Sequence, residues 1–231
     1  MTEGHATVRD TRKGTGAGGA FDFDYYHASV RHDVLPLIPE HCGRVLDVGG
    51  GVGATGGFLK QRGRATTVVV ADLCGGAPAP GVERIVAADL NDAAALQALG
   101  DHGPFDTILC LDVLEHLYDP WDAISQLQEL LAPGGCIVAS IPNVNYVGLL
   151  APLVVRGRFE YQETGILDRT HIRWFTRQSA EALIRRGRLH IEESVARVPD
   201  GKAKTLDRLT AGTLRRFFAL QQIIRSRKRA D

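Results

Sequence analysis

Short apolar segments alternate along the chain with segments in which apolar residues recur every third or fourth position. Apolar runs of about four to eight residues predict buried strands, and the wider spacing predicts helices with one buried face. Their alternation in short units predicts a doubly wound α/β fold with a mostly parallel, seven-stranded sheet and helices on both faces. The predicted strands cover residues 44–48, 66–71, 84–88, 105–111, 136–141, 189–198 and 220–227, and the predicted helices cover residues 21–39, 54–62, 93–99, 120–131, 176–186 and 206–218.

Three segments depart from this alternation. Residues 1–20 are polar and glycine-rich, which predicts a mobile tail before a single domain over residues 21–231. Residues 73–81 contain two prolines and three glycines, so we expect a loop in place of a crossover helix. Residues 143–175 follow the fifth strand and mix prolines, glycines and aromatic residues, and we interpret them as an insertion that caps a ligand site.

The composition is that of an ordinary globular domain, with 231 residues of which 44% are hydrophobic and 23% charged. The 27 basic and 27 acidic residues balance, so nothing in the charge indicates nucleic acid as a partner. No apolar run is long enough to span a bilayer, and the polar N-terminus lacks the apolar core of a secretory signal, so we expect a cytoplasmic protein without a membrane partner. The four cysteines form no Cys-x-x-Cys pair and no Asp/His cluster has metal-ligand spacing, so no metal is predicted.

The turn after the first strand is the clearest candidate site. Asp47 precedes glycines at alternating positions, Gly49, Gly51 and Gly53, where a ligand can approach the backbone and the positive end of the following helix. Residues 51–56 also satisfy the dinucleotide fingerprint Gly-x-Gly-x-x-Gly, so the turn alone leaves two cofactor classes open. An acid ahead of the glycines would attract the ammonium of a methionine moiety and repel a pyrophosphate, which favours a methyl donor.

The order of the motifs resembles that of class I S-adenosylmethionine-dependent methyltransferases over residues 21–198. These motifs are the glycine turn, Asp72 at the end of the second strand, Ala88-Asp89-Leu90, Leu111-Asp112, and the Leu-Ala-Pro-Gly-Gly segment before the fifth strand. The resemblance implies a Rossmann-like fold and S-adenosyl-L-methionine as cofactor. It implies that Asp47 and the glycines hold the methionine end, Asp72 the ribose, Asp89 and Leu90 the adenine, and Leu111 and Asp112 the sulfonium side. The predicted cofactor-binding residues are Tyr25, Arg31, Asp47, Gly49, Gly51, Gly53, Asp72, Leu73, Asp89, Leu90, Leu111 and Asp112.

Two local segments resemble narrower groups of methyltransferases. Leu114-Glu115-His116 is similar to a segment of small-molecule enzymes of the ubiquinone-biosynthesis type, and residues 167–176 are similar to a segment of bacterial enzymes in natural-product and sugar-modifying pathways. His171 and His116 are therefore the candidate general bases, because an imidazole titrates near neutrality. Alternatively, His171 caps the helix that follows, and His116 orients its loop or lines the cofactor. The candidate acceptor-binding residues are Asn143, Tyr146, Tyr161 and Trp174, which could equally be packing residues.

The function predicted from the sequence is methyl transfer to an oxygen of a small metabolite. Methylation of a nitrogen is the next alternative, followed by an NAD-dependent oxidoreductase that uses the same glycine turn, or a cofactor-binding protein without turnover. The expected partner is a small-molecule acceptor, and a homodimer is left open. Arg31 is expected to pair with the methionine carboxylate from a helix that covers the cofactor, although that helix could simply dock on the sheet.

Overall fold

The computed structural model describes residues 29–73, 76–186 and 188–229, and these form one seven-stranded sheet. The strands are β1 (Gly43–Val48), β2 (Ala65–Asp72), β3 (Arg84–Ala87), β4 (Phe105–Leu111), β5 (Leu131–Pro142), β6 (Leu189–Arg197) and β7 (Gln221–Lys228). Their order across the sheet is β3-β2-β1-β4-β5-β7-β6. The first five strands pair in parallel, whereas β7 is antiparallel to both of its neighbours, so the predicted mostly parallel sheet is confirmed.

Helices cover both faces of the sheet. They are α1 (Ala54–Gln61), α2 (Ala93–Ala98), α3 (Pro120–Glu129), α4 (Val147–Arg156), α5 (Arg177–Ile184), α6 (Lys202–Leu209) and α7 (Arg215–Phe218). Successive residues of β1 point to opposite faces, so Val45 joins the core under α1 while Leu46 joins the core under α2, α3 and α5. Burial on both faces explains why the parallel strands are continuous apolar runs.

The strand order reverses beside β1. The chain moves outward from β1 to β2 and β3, then returns to the other side of β1 to form β4. At such a reversal the connections leave in opposite directions, and a crevice opens beyond the carboxyl ends of the two central strands. The glycine turn after β1 and residues 112–116 after β4 therefore lie at the place where this fold class binds ligands.

Two predicted helices are wrong in part. Residues 32–37 form successive turns, with the hydrogen bond from Leu37 N to Val34 O at 3.0 Å, and residues 29–31 have no regular structure. Pro36 has no N–H with which to continue a helix. Residues 21–28 of that predicted helix lie outside the described residues. The predicted helix over residues 206–218 is two helices, because Ala211 and Gly212 adopt positive φ angles of 48° and 75° between α6 and α7.

The predicted end of α3 and start of β5 also need correction. The helix ends at Glu129, and β5 begins at Leu131 instead of residue 136 because Leu131 pairs with Phe105 of β4. The Pro-Gly-Gly segment is thus an irregular part of β5. Asp92 caps α2 by accepting from Ala94 N, and Thr176 caps α5 by accepting from Ser179 N. The described part of residues 73–81 contains no helix, as expected.

Residues 143–175 leave the sheet and return to it at one point. Asn143 and Phe175 form a parallel bridge, and Val144 N donates to Phe175 O at 2.9 Å. The segment contains α4, which was not predicted because Gly148 and Pro152 interrupt its sequence. None of the helices in the described ranges is long and apolar enough to cross a membrane.

Candidate active site

The glycine turn joins β1 to α1 in a conformation that its glycines make accessible. Gly49, Gly51 and Gly53 have positive φ angles of 67°, 58° and 79°, in the region that L side chains rarely adopt. A Cβ at Gly49 would also lie 2.5 Å from a methyl group of Val113. Gly53 is the N-cap of α1 and, as a glycine, it makes no side-chain hydrogen bond to the first N–H groups of the helix. The N–H groups of these three glycines donate within the protein, to Ala71 O, Asp72 Oδ2 and Gly50 O, so their role is to shape the turn and to keep space for a ligand above it.

Asp47 lies beneath this turn and only 2% of it is exposed. Its Oδ2 accepts from Gly56 N at 3.4 Å, and a Cβ at Gly50 would lie 2.5 Å from its Cγ. Burial raises the pKa of Asp47 from 3.8 to about 7, opposed by the Gly56 N–H and assisted by the charge of Asp72. The carboxyl group thus packs beneath the turn and binds the first turn of α1 through Gly56 N. Its contact with a methionine ammonium stays a prediction.

Asp72 connects the end of β2 to the same turn. Its Oδ2 accepts from Gly51 N at 2.8 Å, and the residue is almost fully buried. Asp89, after β3, is exposed and accepts from Asn91 N at 2.9 Å. Leu90 is buried, while Leu73 is 67% exposed at the rim. The acids predicted from successive strands do meet at one edge of the sheet.

Asp112 lies at the end of β4 and is held by three other elements. It has a positive φ of 55°, and its carboxylate accepts from Ser140 Oγ at 2.8 Å and from Gln221 Nε2 at 2.9 Å. Arg31 forms an ion pair with the same carboxylate and also donates to Ser140 and Gln221. Ser140 and Gln221 were not predicted as site residues. Nothing in the sequence near Gln221 indicates its role, because the antiparallel placement of β7 brings it there.

Arg31 forms ion pairs with two aspartates, Asp33 and Asp112. Its guanidinium donates to both carboxylate oxygens of Asp33 at 3.0 Å, in addition to its pair with Asp112. Burial lowers the pKa of Arg31, but the hydrogen bonds to Asp33 and the charges of Asp33 and Asp112 raise it above its usual value overall, so the group stays cationic. Its predicted contact with a cofactor carboxylate stays a prediction. Tyr25, the other residue predicted to cover the cofactor, lies outside the described residues.

Glu115, His116 and His171 meet next to Asp112. Residues Leu114–His116 form a 3-10 turn after β4, and the N–H groups of Ile172 and Arg173 both donate to Glu115 O at 3.0 Å. The rings of the two histidines are 4.7 Å apart, edge to face. The two segments that resembled different methyltransferase groups therefore form one structural unit, although 55 positions separate the histidines.

The hydrogen bonds of the two imidazoles define their tautomers. His171 Nδ1 lies 3.0 Å from Ile166 O, and His116 Nδ1 lies 3.2 Å from Thr170 O. A carbonyl only accepts, so each Nδ1 carries the proton and, in a neutral ring, each Nε2 keeps its lone pair. Burial and the neighbouring His171 lower the pKa of His116, which favours its neutral form. His171 does not cap α5, since the cap is Thr176.

The predicted acceptor residues fall into two groups. Asn143 is buried, and its side-chain amide donates to Arg216 O and Ala219 O, both at 2.8 Å, so it anchors the start of the 143–175 segment. Tyr146 precedes α4. Tyr161 and Trp174 both contact Phe159 edge to face, with ring centroids 5.6 and 6.0 Å from it, and their own centroids are 6.5 Å apart. No sequence signal singled out Phe159. All three rings of this aromatic cluster are more than a third exposed, as a surface for a flat ligand would be.

Comparison with protein families decides the class of this fold. A family described as "Methyltransferase domain" matches residues 23–187, which is well over half of the chain. The chain belongs to the methyltransferase domain family. The match begins before β1 and ends after α5, so the glycine turn, Asp112 and both histidines lie inside it, while β6 and β7 lie outside it.

Individual methyltransferases are also similar to this chain, in sequence or in fold. A ubiquinone biosynthesis O-methyltransferase of Pseudomonas aeruginosa strain LESB58 is 35% identical over 128 residues, which are 49% of this chain and 54% of that protein. The match thus spans about half the length of this curated relative. The crystal structure of the Burkholderia thailandensis 1,6-didemethyltoxoflavin-N1-methyltransferase, with bound 1,6-didemethyltoxoflavin and S-adenosylhomocysteine, has a TM-score of 0.57 at 18% identity, over 90% of this chain and 81% of that chain. An N-methyltransferase of Bradyrhizobium japonicum in complex with S-adenosylhomocysteine has a TM-score of 0.54 at 17% identity, over 89% and 86% of the chains.

Membership of the methyltransferase family narrows the interpretation of the glycine turn. The structural neighbours share the fold of this methyltransferase chain, and at under 20% identity they show the fold alone. The dinucleotide alternative rested on a fingerprint within the turn and has no support from the family match.

Proposed function

We propose that this protein binds S-adenosyl-L-methionine in the crevice beyond β1 and β4 and transfers its methyl group to an oxygen of a small metabolite. The observation that carries the proposal is the meeting of the glycine turn, Asp72 and Asp112 at one sheet edge in a chain of the methyltransferase family. The curated relative named above is an O-methyltransferase, which supports oxygen as the acceptor atom.

The chain's own residues suit a cationic donor. The N–H groups of α1 would contact the methionine end, and Asp72 would accept from the ribose while it holds Gly51. Asp112 lies where the sulfonium is expected, and its partners Ser140, Gln221 and Arg31 hold its side chain in place. Asp89 and Leu90 would border the adenine at the end of β3.

Methyl transfer asks the protein chiefly to align the reactants. A lone pair on the acceptor oxygen forms the new bond to the methyl carbon as the carbon–sulfur bond breaks, and its electron pair stays on sulfur as the neutral thioether. The acceptor hydroxyl then has to lose its proton. His116 and His171 lie next to Asp112, which is the side of the crevice where that proton would be released. Residues 143–175, with the aromatic cluster, would select the acceptor.

The proposal is tested by titrating the protein with S-adenosylmethionine, S-adenosylhomocysteine and NAD in a calorimeter. We expect micromolar binding of the first two, weakened at least tenfold by Asp72→Asn, while Asp101→Asn on the exposed surface serves as the matched control. Binding of NAD with no response to either sulfur compound would overturn the proposal. A screen of hydroxylated and amino metabolites with methyl-labelled donor then identifies the acceptor, and a product labelled only on nitrogen would favour the N-methyltransferase alternative that the two structural neighbours represent.

A further inference from the structure

The side chain of Glu115 presents a problem that the proposed methyl transfer does not explain. Only 1% of the residue is exposed, and neither carboxylate oxygen has a hydrogen-bond partner among the described residues. Buried polar groups in native proteins are nearly always paired, because an unpaired group loses its hydration without compensation. His171 Nε2 lies 3.8 Å from Oε1, which is an ion-pair distance if the ring is protonated but too long for a hydrogen bond. A group held between the two side chains would supply the close partner that this carboxylate lacks.

The two histidines place further ligand atoms around this carboxylate. Glu115, His116 and His171 each offer one atom, and the three atoms all lie within 4.8 Å of one another. Three points with that spacing lie no more than about 2.8 Å from a common centre, while a zinc–nitrogen bond is about 2.0–2.1 Å. Each ligand atom has to move by less than about 1 Å to bind one ion, which small side-chain rotations provide.

Backbone carbonyl groups orient the two imidazoles so that one ring nitrogen of each could bind a metal. Ile166 O and Thr170 O accept from Nδ1 of His171 and His116, which leaves each Nε2 with a lone pair. Metal-binding histidines usually donate their other ring N–H to a carbonyl or carboxylate in this way. The two hydrogen bonds from residues 172 and 173 to Glu115 O fix the second segment against the first.

We propose that Glu115, His116 and His171 bind one divalent transition-metal ion, with Zn²⁺ as the representative case. Two imidazoles and one carboxylate are ligands that zinc and other late first-row metals prefer, whereas Mg²⁺ and Ca²⁺ prefer oxygen ligands only. The sequence by itself predicts no metal, because the two histidines are 55 positions apart and the ligands therefore show no local spacing. The role of such an ion rests on the proposed methyl transfer: with both Nε2 atoms bound to the ion, the histidines would no longer accept the acceptor's proton themselves, and the ion would instead bind the acceptor oxygen and favour its deprotonated form.

The test is metal binding by the full chain after removal of metals with a chelator. Titration with ZnCl₂ is expected to show one ion per chain, and CoCl₂ is expected to give the visible absorption bands of Co²⁺ bound to nitrogen and oxygen. Glu115→Gln keeps the shape of the side chain and removes its charge, and it should weaken Zn²⁺ binding by about 100-fold or more, beyond the 10- to 100-fold effect of outer partners. MgCl₂ at millimolar concentration is not expected to compete.

Two further variants make the result specific. His171→Asn is expected to abolish the Co²⁺ bands, while His41→Asn, which removes an exposed imidazole, should leave affinity and bands unchanged. Absence of stoichiometric Zn²⁺ binding by the wild type, or equal affinity in Glu115→Gln, would overturn the proposal. If His171→Asn does not fold, Glu115→Gln still decides the question. The titration contains neither donor nor acceptor, so a failed methyl-transfer assay leaves it intact and a failed titration leaves the methyltransferase proposal standing.

Discussion

Replacing Asp47 with asparagine tests the position of its carboxyl group beneath the glycine turn. Burial raises the pKa of Asp47 from 3.8 to about 7 in the folded protein. The folded state therefore keeps a proton that the unfolded state loses above about pH 4, so stability falls as the pH rises from about 4 through 7. One pKa unit corresponds to about 1.4 kcal/mol, and the shift of about three units sets an upper limit near 4 kcal/mol.

Asp47→Asn removes this titration and keeps the size of the side chain. We expect the variant to gain stability relative to the wild type as the pH is raised, by up to about 4 kcal/mol between pH 4 and pH 8. The measurement is urea unfolding of both proteins at intervals of half a pH unit, with Asp101→Asn as an exposed control. Parallel stability curves for Asp47→Asn and the wild type across this range would refute the reasoning.

The same pKa provides a test of the predicted contact with the cofactor. A cationic ammonium next to Asp47 would lower its pKa, so binding at pH 7 should release on the order of half a proton to the solvent. Calorimetric titrations in buffers with different ionisation enthalpies measure this proton release directly. A binding enthalpy that is the same in every buffer would show that the cofactor leaves Asp47 protonated and out of contact.

Three further predictions concern single contacts. Gly49→Ala should lower the free energy of unfolding by about 2 kcal/mol or more and abolish donor binding, because the new Cβ would collide with the side chain of Val113. Gly134→Ala is the control: its φ is similar and the space around it is open, so only the backbone strain of about 1 kcal/mol is expected. Equal shifts in melting temperature for the two variants would contradict this reasoning. Gln221→Ala removes the two hydrogen bonds to Asp112 and the one from Arg31, so it should lower urea stability by about 1 kcal/mol. It should also weaken donor binding about fivefold, the equivalent of about 1 kcal/mol, and unchanged donor affinity would contradict the role given to Asp112. Thr176→Ala should lower urea stability by about 1 kcal/mol through loss of the helix cap without a change in donor affinity.

Local sequence signals predicted local structure well where one short segment carried the whole signal. The glycine turn and the helix-free segment within residues 73–81 each depend on glycines and prolines that lie within a few residues of one another. The errors fall where a local signal was ambiguous. The apolar spacing before Pro39 indicated a helix, yet Val34 and Leu37 are buried from a series of turns, because burial needs only an inward direction and not a helical backbone.

In the candidate site, the positions of the acids could also be predicted from the sequence, but their contacts could not. The sequence predicts that the acids at the ends of β1, β2 and β4 lie near one another, since the carboxyl ends of parallel strands share one edge of a sheet. It does not predict the direction in which each carboxylate points. Asp47 accepts a hydrogen bond from Gly56 N beneath the glycine turn, and Asp112 forms an ion pair with Arg31. Both directions depend on the hydrogen-bond donors that the folded chain places around each carboxylate.

The sequence by itself determined the alternation of strands and helices, the turn at which a cofactor would bind, and the acids that surround it, because these depend on periodicity and on residues close in the chain. Only the tertiary structure decided that β7 inserts antiparallel between β5 and β6, which brings Gln221 to Asp112. It also decided that His171 meets Glu115 and His116. Contacts of this kind depend on how distant elements pack, and the free energy that selects them is that of the whole core and not of any one segment.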